Sequence, residues 1–244
     1  MTTYAIADLH GRHDLLMEAL SAIRDRDFDE GKPGGVIVFT GDYVDRGLES
    51  RQIVETLMAG PDVFFGEDSG IRYVCLRGNH EEIMIAGCSG ALNWWLPNGG
   101  GSTLMSYGQR RGDQADVTVV PKEHLDWMAR LPVMHVDEHR VFVHAGVQDG
   151  IPLDQQDSQE NTWMLYRDGS VGGHGARHVV HGHHQHEDGP IIMPGRTNLD
   201  TLAWFTGRLV VGVFDDDLPG GPVDTIEIRG KSFKDFVLTW GGAE

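Results

Sequence analysis

The sequence predicts an α/β protein of layered sheets and helices, and three observations carry that prediction. Short apolar runs alternate with stretches of helical periodicity between Tyr4 and Cys88. Five apolar runs stop at clusters of carboxylate, amide or imidazole residues. After about residue 130 the pattern is dominated by strand-like runs.

Taken in order, Tyr4-Ala5-Ile6-Ala7 is a short strand that ends at Asp8. Leu16, Ala19, Leu20 and Ile23 then recur at i, i+3, i+4 and i+7, the spacing of one helical face. Val36 to Phe39 is a β-branched and aromatic run that reads as a buried strand delivering Gly41-Asp42. Ile53, Val54, Leu57 and Met58 form the next helical face, stopped by Gly60-Pro61. Tyr73 to Leu76 is a strand delivering Asn79 and His80, with a helix beginning near Glu82. Trp94 to Gly101 reads as a loop with two large aromatics. A helix is expected near Pro121 to Leu131, with Leu125 and Met128 inward and proline at its start. Val141-Phe142-Val143 leads into His144, and His178 to Val180 leads into His183. Leu209 to Phe214 is a strand, Asp215 to Gly221 a turn, and Thr225 to Ile228 alternates. Strands that end in polar clusters place a site on one rim of the sheets. The region 87–131 is expected to be an insertion covering that site, within a single domain over 1–244.

The clusters are Asp8-Leu9-His10-Gly11, Gly41-Asp42-Tyr43-Val44-Asp45-Arg46-Gly47, Gly78-Asn79-His80-Glu81, His144-Ala145-Gly146 and His181-Gly182-His183. Oxygen and nitrogen donors on five segments can cage two divalent cations and leave positions open to substrate. Two such ions stabilise the attacking and leaving oxygens of a displacement at phosphorus. The net charge of −17 argues against a nucleic-acid surface, which is held mainly by Lys and Arg. Carboxylates around dications are neutralised by them, so the site itself can be electropositive. Cys75 and Cys88 have neither metal spacing nor a disulfide framework. No apolar stretch approaches a membrane span, and the first strand begins almost at the N-terminus. Both features give a cytoplasmic expectation.

The five blocks in this order resemble the PPP-type serine/threonine phosphatases of the calcineurin-like metallophosphoesterase superfamily, in a bacterial or phage-like form. The likeness runs from residue 5 to about residue 184. Asn98-Gly99-Gly100 with Thr103 and Ser106-Tyr107-Gly108 is also similar to a segment of bacterial members. The resemblance implies an αββα sandwich and two divalent ions, Mn first, with Fe or Zn as alternatives. It places Asp8, His10 and Asp42 on one ion, and Asp42, Asn79, His144 and His183 on the other, with Asp42 bridging. A metal-bound hydroxide would attack phosphorus. His80 would be the general acid, Asp45 would orient it, and Arg46 and Asn79 would contact phosphate.

Glu81 reads as structural, and His181 as a support for its neighbours. Trp94, Trp95 and Trp163 read as core in preference to a substrate platform. Asp215–Asp217 lacks the spacing of a calcium loop.

Besides Ala7, where relatives commonly have Gly or Ser, the chain departs from the resemblance in two places that bear on substrate contacts. Leu165 stands where relatives carry a second phosphate-clamping Arg, so either Arg167 replaces it through a shifted register or the second clamp is absent. Leu202, in Asp200-Thr201-Leu202-Ala203, stands where relatives often have Gly.

Three functions compete: a phosphoprotein phosphatase, a hydrolase of dinucleoside polyphosphates or other small phosphoesters, and a metal-dependent binding protein with a decayed site. The symmetrical dinucleoside tetraphosphate hydrolases usually lack the second Asp of the middle block. Asp45 therefore tilts the expectation toward the first, and the complete donor set with His80 weighs against the third.

Overall fold

The computed structural model describes residues 1–30, 34–167 and 169–235. The remaining positions of the domain expected over 1–244 lie outside the described residues. The strands are, in chain order, β1 (Thr2–Ile6), β2 (Gly35–Phe39), β3 (Ile71–Cys75), β4 (Met134–Val136), β5 (Arg140–Val143), β6 (His178–His181), β7 (Ile191–Ile192), β8 (Arg196–Asn198), β9 (Arg208–Asp215) and β10 (Asp224–Arg229). Between them come α1 (His13–Glu30), α2 (Ser50–Ala59), α3 (Asp62–Phe65), α4 (Asn79–Cys88), α5 (Leu92–Trp95), α6 (Gly100–Ser106), α7 (Lys122–Arg130), α8 (Ser158–Trp163) and α9 (Ala203–Thr206).

These strands form two five-stranded sheets, in the orders β10-β9-β1-β2-β3 and β4-β5-β6-β8-β7. Within the first sheet β1, β2 and β3 are parallel, and in the second β5, β6 and β8 are parallel. Side chains alternate between the two faces of a strand, and the sequence uses both faces. Tyr4 and Ile6 join Leu16, Leu20, Ile37 and Phe39 in the core under the helices. Ala5, Ala7, Val36 and Val38 face the other way and meet Phe142, Val180, Leu199 and Phe214. That second cluster holds sheet to sheet, with the Phe142 and Phe214 rings edge-on at 5.8 Å. Phe142 is fully buried, so Phe142→Ala would cost about 3–5 kcal/mol as transfer energy and cavity combined.

The expected helical faces appear, with local differences. Leu16, Ala19, Leu20 and Ile23 of α1 are buried, as are Ile53, Val54 and Leu57 of α2, but Met58 is exposed. Between 87 and 131, Met128 is buried and Leu125 packs on the core. The loop expected at Trp94–Gly101 is instead α5, a 3-10 turn (Leu96–Asn98) and the start of α6. Each piece is only one to two turns long, so no 3.6-residue period accumulates in the sequence. Gly99 closes the 3-10 turn at φ 105°, and a Cβ there would fall 2.6 Å from the Arg46 backbone nitrogen.

Candidate active site

The carboxyl ends of β1, β2 and β3 deliver Asp8, Asp42 and Asn79, while those of β5 and β6 deliver His144 and His183. Two sheets packed face to face thus bring five loops to one rim. The loops are bent to do it. Asp8, His10, Asp42, Asp45, Arg46 and His183 all have positive φ, with Leu202 the one other non-glycine residue so placed among those described. Each such residue costs roughly 1–3 kcal/mol and persists only where its surroundings impose it.

The imposing contacts are visible. Glu81, fully buried, accepts the backbone N–H of Tyr43 at 2.8 Å on one oxygen. Its other oxygen accepts those of Asp42 at 2.9 Å and Gly78 at 2.8 Å. Glu81 therefore ties the second loop to the third, the structural role expected of it. Burial, with Asp42 nearby, pushes its pKa up to about 7. Glycine is required at 78 and 182 by close approach, since a Cβ would run into the carboxylates of Asp42 and Asp8.

Two donor groups converge on Asp42. On one side His10 Nε2 lies 3.4 Å from Asp42 Oδ2. On the other, Asp42, His144 and His183 form a compact group, with His144 Nε2 3.4 Å from Asp42 Oδ1. Asp8 is buried and accepts the His183 backbone N–H at 3.0 Å. Burial, Asp200 and Asp42 all raise its pKa. Burial would also raise Asp42, but the imidazoles of His144, His80, His10 and His183 hold it low.

The donor chemistry fits divalent cations. Each imidazole has a second anchor on a carbonyl: His10 Nδ1 on Val44 at 2.8 Å, His144 Nδ1 on Thr40 at 3.0 Å, and the His183 ring on Trp163. Such anchors fix the tautomer and leave the inner nitrogen a free lone pair. Burial lowers the pKa of all three, that of His183 to about 4. The Asn79 amide oxygen lies 2.9 Å from His144 Nε2 and faces only acceptors, including His183 Nδ1 and the Asp42 carboxylate. A cation resolves such a convergence of lone pairs; in its absence a turned amide would donate to the same atoms.

His80 belongs by distance to the group with His10 and Asp42. Its nitrogens, however, are engaged elsewhere: Nδ1 with Asp45 Oδ2 at 2.8 Å, and Nε2 with Arg46 Nη2 at 3.1 Å. Burial lowers its pKa, but Asp42 and Asp45 outweigh burial and leave it raised. A guanidinium can only donate, so in this arrangement Nε2 accepts from Arg46 while Nδ1 donates to Asp45. The other terminal nitrogen of Arg46 is buried without a hydrogen bond, and the guanidinium lies 5.8 Å from the Trp204 ring centre.

The structure brings together Asp8, His10, Asp42, Asp45, Arg46, Asn79, His80, His144 and His183. Arg167 is not gathered in. It is exposed, and its carbonyl accepts from Ser170. Leu165 is 58% exposed. Between them Tyr166 turns inward, its hydroxyl oxygen accepting the Val147 N–H at 3.1 Å and its ring meeting Arg196 and His181. His181 in turn is held by Arg196 Nη1 at 3.1 Å, and burial drops its pKa to about 3.

Sequence reasoning missed two contributors. Asp200 is buried beside Asp8 and Asp42; one oxygen accepts the Leu202 N–H at 2.8 Å and the other has no hydrogen bond. Burial raises its pKa to about 7. Trp95 donates to Asp45 Oδ1 at 2.8 Å from a fully buried indole. Along the sequence Asp200 figures only as part of the segment in which Leu202 departs, and Trp95 only as core, whereas Thr103, the other donor to that oxygen, lies in a segment singled out for the site.

The family model for calcineurin-like phosphoesterases matches residues 1–212. The chain belongs to that family. Among curated relatives, the chain is 26% identical over 163 residues to a symmetrical bis(5'-nucleosyl)-tetraphosphatase of Nitrosomonas europaea, covering 64% of this chain and 48% of the relative. It is 33% identical over 150 residues to the protein of the same name from Pseudomonas fluorescens, covering 60% and 44%. The chain thus spans about half the length of the curated relatives it matches. A solved structure described as a candidate diadenosine tetraphosphatase superposes with a TM-score of 0.63 at 20% identity, covering 94% of each chain, which shows the shared fold. These names do not support the serine/threonine type expected from Asp45: the residue is present and buried, yet the relatives are named for another substrate. Among the described residues, no helix is long and apolar enough to cross a membrane.

Proposed function

We propose that this phosphoesterase hydrolyses small phosphoesters, with dinucleoside polyphosphates as its substrate class. The observation that carries the reading is the shared name of the curated relatives, matched over 60% or more of this chain. A feature beside the site supports it. Trp94 is 44% exposed and stacks on Trp163 at 5.9 Å and 17°, and Trp163 meets His183 edge-on at 6.4 Å. A flat ring continuous with the candidate metal ligands is a surface on which a nucleobase can stack. Trp95 is core, as expected, but Trp94 is not.

Asp8, His10 and Asp42 would hold one divalent ion, and Asp42, Asn79, His144 and His183 the other. Bound ions supply Lewis-acid stabilisation of phosphoryl oxygens and lower the pKa of the attacking water. Arg46 contacts phosphate through its unpaired nitrogen as a charge-assisted donor. Once Arg46 leaves Nε2 for the phosphate, His80 can carry a proton on that nitrogen and give it to the leaving oxygen, while Asp45 holds Nδ1 and orients the ring.

The Asp45–His80 pair favours a second activity on monoesters, because an alkoxide leaves poorly without a proton. The test is kcat/KM with Mn for diadenosine tetraphosphate against a phosphoserine peptide, with nucleotide products resolved by chromatography. The expected result is a preference for the dinucleotide, with ADP as its product. A tenfold preference for the peptide would return the reading to a phosphoprotein phosphatase.

A further inference from the structure

We propose that Trp95 and Thr103 are positioning residues for proton transfer: together they fix the Asp45 carboxylate that orients His80. The inference rests on reading His80 as the proton donor. Asp45 is fully buried and divides its oxygens cleanly. Oδ2 faces His80 Nδ1 at 2.8 Å. Oδ1 accepts from Trp95 Nε1 at 2.8 Å and from Thr103 Oγ1 at 2.7 Å. Thr103 Oγ1 also accepts the Asp45 backbone N–H at 2.9 Å, and Ser50 Oγ accepts it at 3.1 Å. The two hydroxyls lie 3.2 Å apart. Thr103 therefore holds both the side chain and the backbone of a residue at φ 72°.

The physical need is specific. A buried carboxylate with one free oxygen can turn about its terminal torsion and offer His80 either oxygen, or drift off the imidazole altogether. Two donors on Oδ1 remove that freedom and leave Oδ2 alone to face His80. Both come from α5 and α6, whose geometry is built around the indole. Gly87 and Gly100 lie so close that a Cβ on either would sit 2.6–2.7 Å from Trp95. Both donors are fully buried, so no water competes for their bonds to Asp45.

The test uses isosteric changes and leaving-group dependence. Thr103→Val keeps volume and removes the hydroxyl, Thr103→Ser keeps the hydroxyl, and Trp95→Phe keeps a ring without its N–H. Turnover with Mn is measured on p-nitrophenyl phosphate, phenyl phosphate and a phosphoserine peptide, with His80→Asn as the reference. A hydrogen bond to a charged group is worth about ten- to hundredfold when fully expressed. Thr103→Val is expected to lower kcat about tenfold on the two poor leaving groups and less than twofold on p-nitrophenyl phosphate, with KM unchanged. Thr103→Ser should restore the wild-type pattern, and Trp95→Phe should repeat that of valine. Equal losses on all three substrates for both Thr103→Val and Trp95→Phe, with His80→Asn still discriminating, would overturn the positioning role alone. If His80→Asn does not discriminate between leaving groups, the proton-donor reading falls and this inference falls with it.

Discussion

The loops that carry Asp42, Asp45 and Asn79 contrast with the segment from Trp163 to Val171, although both border the same site. In the loops nearly every polar atom has an assigned partner: Glu81 takes three backbone N–H groups, and Asp45 is held on both oxygens and its nitrogen. In the other segment Leu165 and Val171 are more than half exposed, and Arg167 points into solvent. Groups that must keep lone pairs and protons at fixed points are locked by burial, because small displacements weaken a hydrogen bond or metal contact sharply. Groups that meet a substrate's outer parts can stay open.

The sharpest way to break the contrast is Asp42→Ala. It removes the carboxylate shared by both donor groups, so Mn should no longer raise the melting temperature, and turnover should vanish. Wild type, with Mn at a thousandfold over its Kd, should gain about 4 kcal/mol in unfolding experiments. Retention of that gain in the variant would show that Asp42 is not the bridge.

Next in size is His80→Asn. A proton donor contributes roughly 10²–10⁴-fold, so turnover of a phosphoserine peptide should fall in that range while Mn-dependent stabilisation is retained. Loss of the Mn stabilisation would move His80 into the metal-binding group to which distance alone assigns it.

A smaller effect is expected on the open side. Stacking a base is worth about 1–3 kcal/mol, so Trp94→Ala should raise KM for diadenosine tetraphosphate about tenfold and leave p-nitrophenyl phosphate unchanged. An unchanged KM for the dinucleotide would show that the exposed ring is not a base platform.

The smallest is Arg167→Ala. An exposed guanidinium without a fixed partner contributes little, so the inhibition constant for inorganic phosphate should move less than about twofold. A tenfold rise would give Arg167 the clamp role and place this segment with the locked loops.

Much of this was legible along the chain. The strands before Asp8, Asp42, Asn79 and His144 read directly, because buried strands are short apolar runs and their ends are marked by glycine and polar residues. The Glu81 role was also readable, since a carboxylate three residues after Gly78 can cap the helix that begins at Asn79. Trp94 and Trp95 were not separable by sequence: adjacent and chemically identical, they part only because a one-turn helix sends one indole toward Asp45 and the other onto Trp163.

By itself, the sequence determined the layered α/β fold, the five donor loops and the kind of chemistry they serve, because residue type and local spacing decide those. The tertiary structure decided that His80 meets Asp45 and Arg46, and that the Asn79 amide meets His144, His183 and Asp42. It also decided that Asp200 stands beside Asp8 and that Trp95 and Thr103 secure Asp45. Those facts depend on which atoms meet across tens to hundreds of residues of chain, and packing sets that where local spacing cannot.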